Sequence, residues 1–140
     1  MKSDKMIYWL DTGIFTATVM FSVGFKYDEI IAYCKKKKAI GWDLAISQDS
    51  DRKLIENGNA FGLKRTLENT RTGKTVTYFF IILTEQFDFS DWAMVTLAHE
   101  CLHICQFMLP DMLDRDREYE AEAYFHSYLM TECLKRLRGK

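Results

Sequence analysis

The sequence predicts an α+β fold in which helices pack against a small, mostly antiparallel sheet. Four predicted strands and one short helix lie within the first 84 residues, and the two longest helical patterns follow them. At 140 residues and 48% hydrophobic content, the chain is long enough to bury one core and short for two. We therefore expect a single domain over residues 1–140.

The amino-terminal segment predicts two paired strands. Phe15–Val23 alternates apolar side chains with threonine, methionine and serine, which is the pattern of a strand with one buried and one more polar face. Ile7–Leu10 precedes it, separated by the turn residues Asp11–Gly13. We expect Ile7–Leu10 to be the partner strand.

A short helix is predicted next, over Asp28–Lys37. Ile30, Ile31 and Cys34 form its apolar stripe, and its acidic start and basic end complement the helix dipole. The following segment, Trp42–Asn59, is polar and rich in turn residues, and its conformation stays open.

The middle of the chain predicts a β-hairpin. Phe61–Leu67 and Thr75–Thr84 flank a polar turn that contains Thr72–Lys74. The second arm is apolar at both odd and even positions. Such a strand is expected to lie in the centre of the sheet, covered on both faces.

Two long helices are predicted at the end of the chain. The first spans Asp91–Leu109, with Ser90 or Asp88 available as its cap, and it ends there because Pro110 disfavours helical geometry in the preceding residue. The second helix spans about Arg115–Leu137.

Charge and composition argue against several classes of partner. The net charge of −1 is unlike that of a protein that coats nucleic acid, and the basic run Lys35–Lys38 is explained by a solvated helix end. Met1–Lys5 is polar, so we expect no signal peptide. The longest apolar run, Tyr78–Leu83, is too short to cross a bilayer. We expect a cytoplasmic protein with no membrane or nucleic-acid partner.

The four cysteines are expected to be buried, reduced thiols. They lie in apolar stretches that read as helices, unlike the loop-rich framework of a disulfide-stabilised domain. Cys101 is two positions from each of its neighbouring histidines and so projects to the other side of the helix. The cysteines are Cys34, Cys101, Cys105 and Cys133.

One motif in the first long helix carries chemistry. His99-Glu100-Cys101-Leu102-His103 spells H-E-x-x-H. Residues four apart lie on the same helical face, so both imidazoles can reach one metal ion. Zinc accepts two histidine nitrogens in a tetrahedral site that keeps one position for water, and this motif on a helix is typical of metalloproteases. The sequence therefore predicts a Zn²⁺ site at His99 and His103.

A catalytic zinc site needs a third protein ligand. The metzincin pattern, with another histidine six positions after the second, is excluded because that position is Leu109. The other candidates are the glutamates of the last helix. Glu122 lies one turn before Phe125 on the predicted buried stripe, and a carboxylate there is costly unless it meets a cation. We rank Glu122 first, Glu118 second and Glu120 third.

Three further residues of the last helix are candidates for supporting roles. His126 can serve as the third ligand, hold a ligand by a hydrogen bond or stabilise an oxyanion, and a histidine with a backbone partner is the simpler alternative. Tyr119 and Tyr124 can donate to an oxyanion, with core packing as the simpler interpretation.

The combination of His99–His103 with a later glutamate helix resembles the gluzincin branch of the zincin metallopeptidases. In that branch the ligand glutamate is commonly followed by alanine, as in Glu122-Ala123 and Glu120-Ala121. Larger gluzincins carry an acidic residue four positions after the ligand glutamate, where this chain has His126. The resemblance implies a gluzincin-like zinc metallopeptidase with Glu122 as third ligand.

The last helix also resembles that of small zincin-like proteins encoded by bacterial phages and prophages. The resemblance lies in Glu122–Tyr124 and Tyr128–Leu129, and it covers Trp92–Leu134 best. These proteins are minimal domains made of a sheet, an H-E-x-x-H helix and a glutamate helix. The resemblance implies the same minimal fold here.

Peptide-bond hydrolysis is the expected reaction, with Glu100 as general base and a peptide or protein as substrate. An exposed strand edge beside the motif helix can pair with the substrate backbone, although the pattern does not say which strand. The first alternative is a zinc-stabilised, non-catalytic interaction module of phage or prophage origin, in which His99, His103, Glu122 and His126 close the coordination. The second is a nucleic-acid or host-factor binder that uses Lys35–Lys38.

Overall fold

Four strands and five helices make up the part of the chain that the computed structural model describes, residues 5–12, 17–39, 41–108 and 119–138, with only the backbone at 119–121. The predicted α+β class is confirmed. In chain order the elements are β1 (Met6–Asp11), β2 (Thr18–Val23), α1 (Tyr27–Lys36), α2 (Trp42–Ala45), α3 (Asp49–Asn57), β3 (Ala60–Glu68), β4 (Thr75–Leu83), α4 (Asp91–Met108) and α5 (Tyr119–Leu137).

The strands form one mixed sheet in the order β1-β2-β4-β3. Both predicted antiparallel pairs are present, β1 with β2 and β3 with β4. A parallel pairing of β2 with β4 joins them. Parallel neighbours need a long crossover, and here α1, α2, α3 and β3 supply it. The order leaves β1 and β3 as the two edge strands.

The sheet separates two apolar clusters. Alternate residues of β2 and β4, such as Phe21 and Ile81, pack on the face that α4 and α5 cover. The intervening residues, such as Met20 and Phe80, pack on the opposite face with side chains of α1, α2 and α3. β4 is therefore the doubly covered central strand that its apolar sequence predicts.

The prediction of a polar face on β2 is wrong. Met20 and Ser22 are as fully buried as Val19 and Phe21. The physical reason is that β2 lies between β1 and β4 with helices on both faces, so each side chain of its central part meets the core. The Ser22 hydroxyl finds no hydrogen-bond partner among the described residues.

The crossover contains the predicted helix and two more. In α1, Ile30 and Cys34 are fully buried, as their stripe indicates. The segment without a readable pattern forms α2 and α3. On α3, the buried carboxylate of Asp51 accepts a hydrogen bond from Arg65 Nη2 at 2.8 Å, which links this helix to β3.

The two long helices pack on the other face of the sheet. Ser90 caps α4 by accepting the Ala93 N–H through its Oγ at 3.1 Å, as predicted. The helix continues to Met108. The predicted stop at Leu109 and Pro110, and the predicted first turn of the last helix, lie outside the described residues.

All four cysteines are buried and free of disulfides, as expected. Cys101 and Cys133 bring α4 and α5 together, with their sulfur atoms 4.0 Å apart. Within the described ranges, no helix combines the length and apolar character that crossing a bilayer requires.

Candidate metal centre

Helix α4 presents the motif on its side away from the core. Cys101 and Ile104 are fully buried, whereas His99 is exposed and Glu100 and His103 are half-buried. Each residue turns about 100° around the helix axis, so positions two apart fall on different faces. The two histidines therefore stand together at the surface while Cys101 packs inward.

The two imidazoles converge on one point. Nε2 of His99 lies 2.9 Å from Nε2 of His103, with the ring centroids 4.4 Å apart and the ring planes at 86°. A tetrahedral zinc bound to both nitrogens at about 2.0–2.1 Å would hold them about 3.3 Å apart. A small opening of the pair would therefore admit the ion, so these residues fit the metal that the motif predicts.

Glu100 completes a three-residue group. Ligand-type atoms of His99, Glu100 and His103 all lie within 4.8 Å of one another. The Glu100 carboxylate is also held from the sheet, because its Oε1 accepts the main-chain N–H of Gly62 at 2.7 Å. The described residues thus bring together the two predicted ligands and the predicted general base.

Glu122 lies on α5, near the residues of α4 that follow the motif. It is half-buried and within electrostatic range of the Cys105 thiol, two residues beyond His103. Burial, together with the smaller electrostatic effects of Cys101 and Glu122, raises the pKa of the Cys105 thiol to about 12. Glu122 is outside the group of described atoms that gather within 4.8 Å, so its role as third ligand stays a prediction.

Several other candidates fall where no side chain is described. Glu118 lies in the undescribed segment before α5, and the structure gives only the backbone of Tyr119 and Glu120. The side chain of Tyr124 is described and is 73% exposed. Core packing is therefore the wrong interpretation for Tyr124, which projects into solvent from α5.

His126 has a backbone partner on the motif helix. Its Nε2 lies 2.9 Å from the carbonyl oxygen of Ala98, the residue before His99. With the proton on Nε2, the imidazole donates to this carbonyl and links α5 to α4 at the turn that carries the first histidine. Among the roles that the sequence suggests for His126, this contact agrees with the simplest one, in which the imidazole bonds a backbone group.

We expect His126→Ala to lower the free energy of unfolding by about 1 kcal/mol, the usual contribution of one hydrogen bond. Bound zinc should stay at the parent's level, because this imidazole already has a backbone partner. Denaturant titration and metal analysis measure the two quantities, with the exposed neighbour Ser127→Ala as control. Loss of the metal in His126→Ala would make His126 a ligand instead.

Searches against known protein families, curated protein sequences and solved structures find no match to this chain. One residue of the centre was missed in the sequence, namely Gly62. Its signal was available: an isolated glycine inside a strand pattern often marks the close approach of another backbone.

Proposed function

We propose that this protein is a zinc-dependent hydrolase, and specifically a peptidase of the gluzincin type. The observation that carries the proposal is the convergence of the His99 and His103 Nε2 atoms, 2.9 Å apart, with Glu100 in the same group. Two imidazole nitrogen donors and an adjacent carboxylate base are the parts that metal-assisted hydrolysis requires.

Each residue has a separate task in this proposal. His99 and His103 hold the ion, and a carboxylate of α5, with Glu122 ranked first, completes the site. When bound, zinc lowers the pKa of a coordinated water towards neutrality and polarises the scissile carbonyl. Glu100 removes the proton from the attacking water and returns it to the leaving amine.

The position of β3 supports a peptide as the substrate. This strand is an edge of the sheet, and its residue Gly62 contacts the motif helix directly. In β3, every second residue bonds β4 through its main chain. Thr66 and Glu68, which follow Gly62, are among the intervening residues, so their N–H and C=O groups point away from β4. An extended substrate can add to such an edge through backbone hydrogen bonds. We therefore assign substrate pairing to β3.

The closed, non-catalytic site is the less favoured alternative. It requires His126 as a fourth ligand beside His99, His103 and Glu122. The contact of His126 Nε2 with the Ala98 carbonyl favours a site with a position left for water. Phage or prophage origin is part of the proposal on the strength of the resemblance alone.

Metal analysis of the purified protein, combined with a digest of a broad peptide library, tests the proposal. We expect stoichiometric zinc, cleavage products, loss of cleavage with a chelator and recovery on adding zinc. Stoichiometric zinc without cleavage of any library member would favour the interaction module. Absence of both zinc binding and cleavage would contradict the proposal and its alternative together.

A further inference from the structure

Gly62 directs its N–H away from the sheet. In an antiparallel pair, alternate residues exchange hydrogen bonds with the partner strand and the intervening ones face outwards. Thr84 donates to the Asn59 carbonyl and Asn69 donates to the Lys74 carbonyl, so the odd-numbered residues of this strand bond its partner. Gly62 is even-numbered, and its N–H meets Glu100 Oε1 at 2.7 Å on the outer edge of β3.

The absence of a side chain at Gly62 lets α4 approach this edge. A Cβ atom built there would lie 2.6 Å from the carbonyl oxygen of Glu100 and 3.4 Å from its Cβ. The first of these neighbours is helix backbone, which cannot move without moving the turn. Any larger residue at position 62 would therefore displace the motif helix from β3.

Both observations concern Glu100. We infer that Gly62 is a positioning residue for Glu100: its N–H holds one carboxylate oxygen, and its missing side chain sets the distance between helix and strand. The catalytic part of this inference rests on the proposed function, in which Glu100 is the general base. Because Oε1 is held by the edge, Oε2 is the oxygen that accepts the proton when the O–H bond of the attacking water breaks. The orientation of the base is then fixed before substrate arrives.

Amide hydrogen exchange tests the contact without any activity measurement. An outward N–H on an edge strand exchanges readily unless it has a partner. In the metal-free parent we expect the Gly62 amide to be protected. In Glu100→Ala its exchange should become about tenfold faster, while the amides of Phe61 and Leu63, which bond β4, stay unchanged.

A matched pair of glycine variants tests the positioning role. Gly62→Ala places its methyl group against helix backbone, whereas Gly58→Ala places one against the ring of Phe61, away from the motif. We expect kcat of Gly62→Ala to fall on the order of a hundredfold with little change in KM, because the base is misplaced. Gly58→Ala should keep the kcat of the parent even if it loses stability.

The outcomes separate this inference from the proposed function. Rapid exchange of the Gly62 amide in the parent, or protection that persists in Glu100→Ala, overturns the inference whatever the activity. Equal kcat values for Gly62→Ala and Gly58→Ala also overturn it. If the parent cleaves no peptide and the Gly62 amide loses its protection in Glu100→Ala, the proposed peptidase function is contradicted. The contact between Gly62 and Glu100 is then still established.

Discussion

Glu100→Gln is expected to lower kcat for peptide cleavage by about a thousandfold while the protein keeps its zinc, since general-base catalysis contributes about 10²–10⁴-fold. The amide has nearly the shape of the carboxylate, and it can still accept the Gly62 N–H through its oxygen. It cannot take a proton from water. The change therefore removes the base and leaves the geometry of the group in place.

Initial rates on a peptide from the library digest, together with metal analysis, measure both effects of Glu100→Gln. Glu85→Gln is a suitable control, because Glu85 is an exposed carboxylate outside the motif. We expect it to cleave like the parent. If Glu100→Gln cleaved as fast as the parent, the role assigned to Glu100 would be wrong, even with zinc bound at the two histidines.

His103→Ala is the second variant with a large expected effect. The two imidazoles supply both nitrogen donors of the site, and their Nε2 atoms already lie 2.9 Å apart. Removing one leaves zinc with a single histidine and a carboxylate from another helix. We expect zinc affinity to fall on the order of a hundredfold or more, and cleavage to disappear with the metal.

Competition against a chromophoric chelator measures the zinc affinity of each histidine variant. His99→Ala should resemble His103→Ala, because the two residues are equivalent donors. His126→Ala is the matched control, since it removes an imidazole of the same kind whose Nε2 contacts a carbonyl. Parent-like zinc affinity in both His99→Ala and His103→Ala would show that the metal, if bound, lies elsewhere.

The sequence predicted the elements whose patterns are strong. The strand β4 is apolar on both faces and lies in the centre of the sheet. Helix α4 has a cap at Ser90 and the predicted span as far as Met108. The motif predicted the pairing of His99 with His103 because helical spacing is local and nearly independent of the rest of the fold.

What the sequence did not predict depends on contacts between distant segments. Ser22 is buried because β2 pairs in parallel with β4, and no residue near Ser22 in the sequence indicates this pairing. The helices α2 and α3 lack a strong apolar pattern, and Asp51 on α3 is buried against Arg65. A polar residue paired in this way reads as a surface position in the sequence.

The same limit applies to the metal centre. The helical phase around Phe125 favours Glu122 as third ligand, but this phase indicates only a face of α5 and not the distance of that face from the histidines. Phe125 is buried as that phase predicts, and Glu122 reaches the neighbourhood of Cys105. Gly62 meets Glu100 across 38 positions of the chain. Only the folded arrangement of β3 and α4 brings that pair together.

The most direct test of this account is a crystal structure of the zinc-loaded protein, with anomalous scattering recorded at the zinc absorption edge. We predict one zinc peak bound by Nε2 of His99, Nε2 of His103 and one carboxylate of α5, with a water in the remaining position. A peak away from the two histidines, or four protein ligands that leave no place for water, would contradict it.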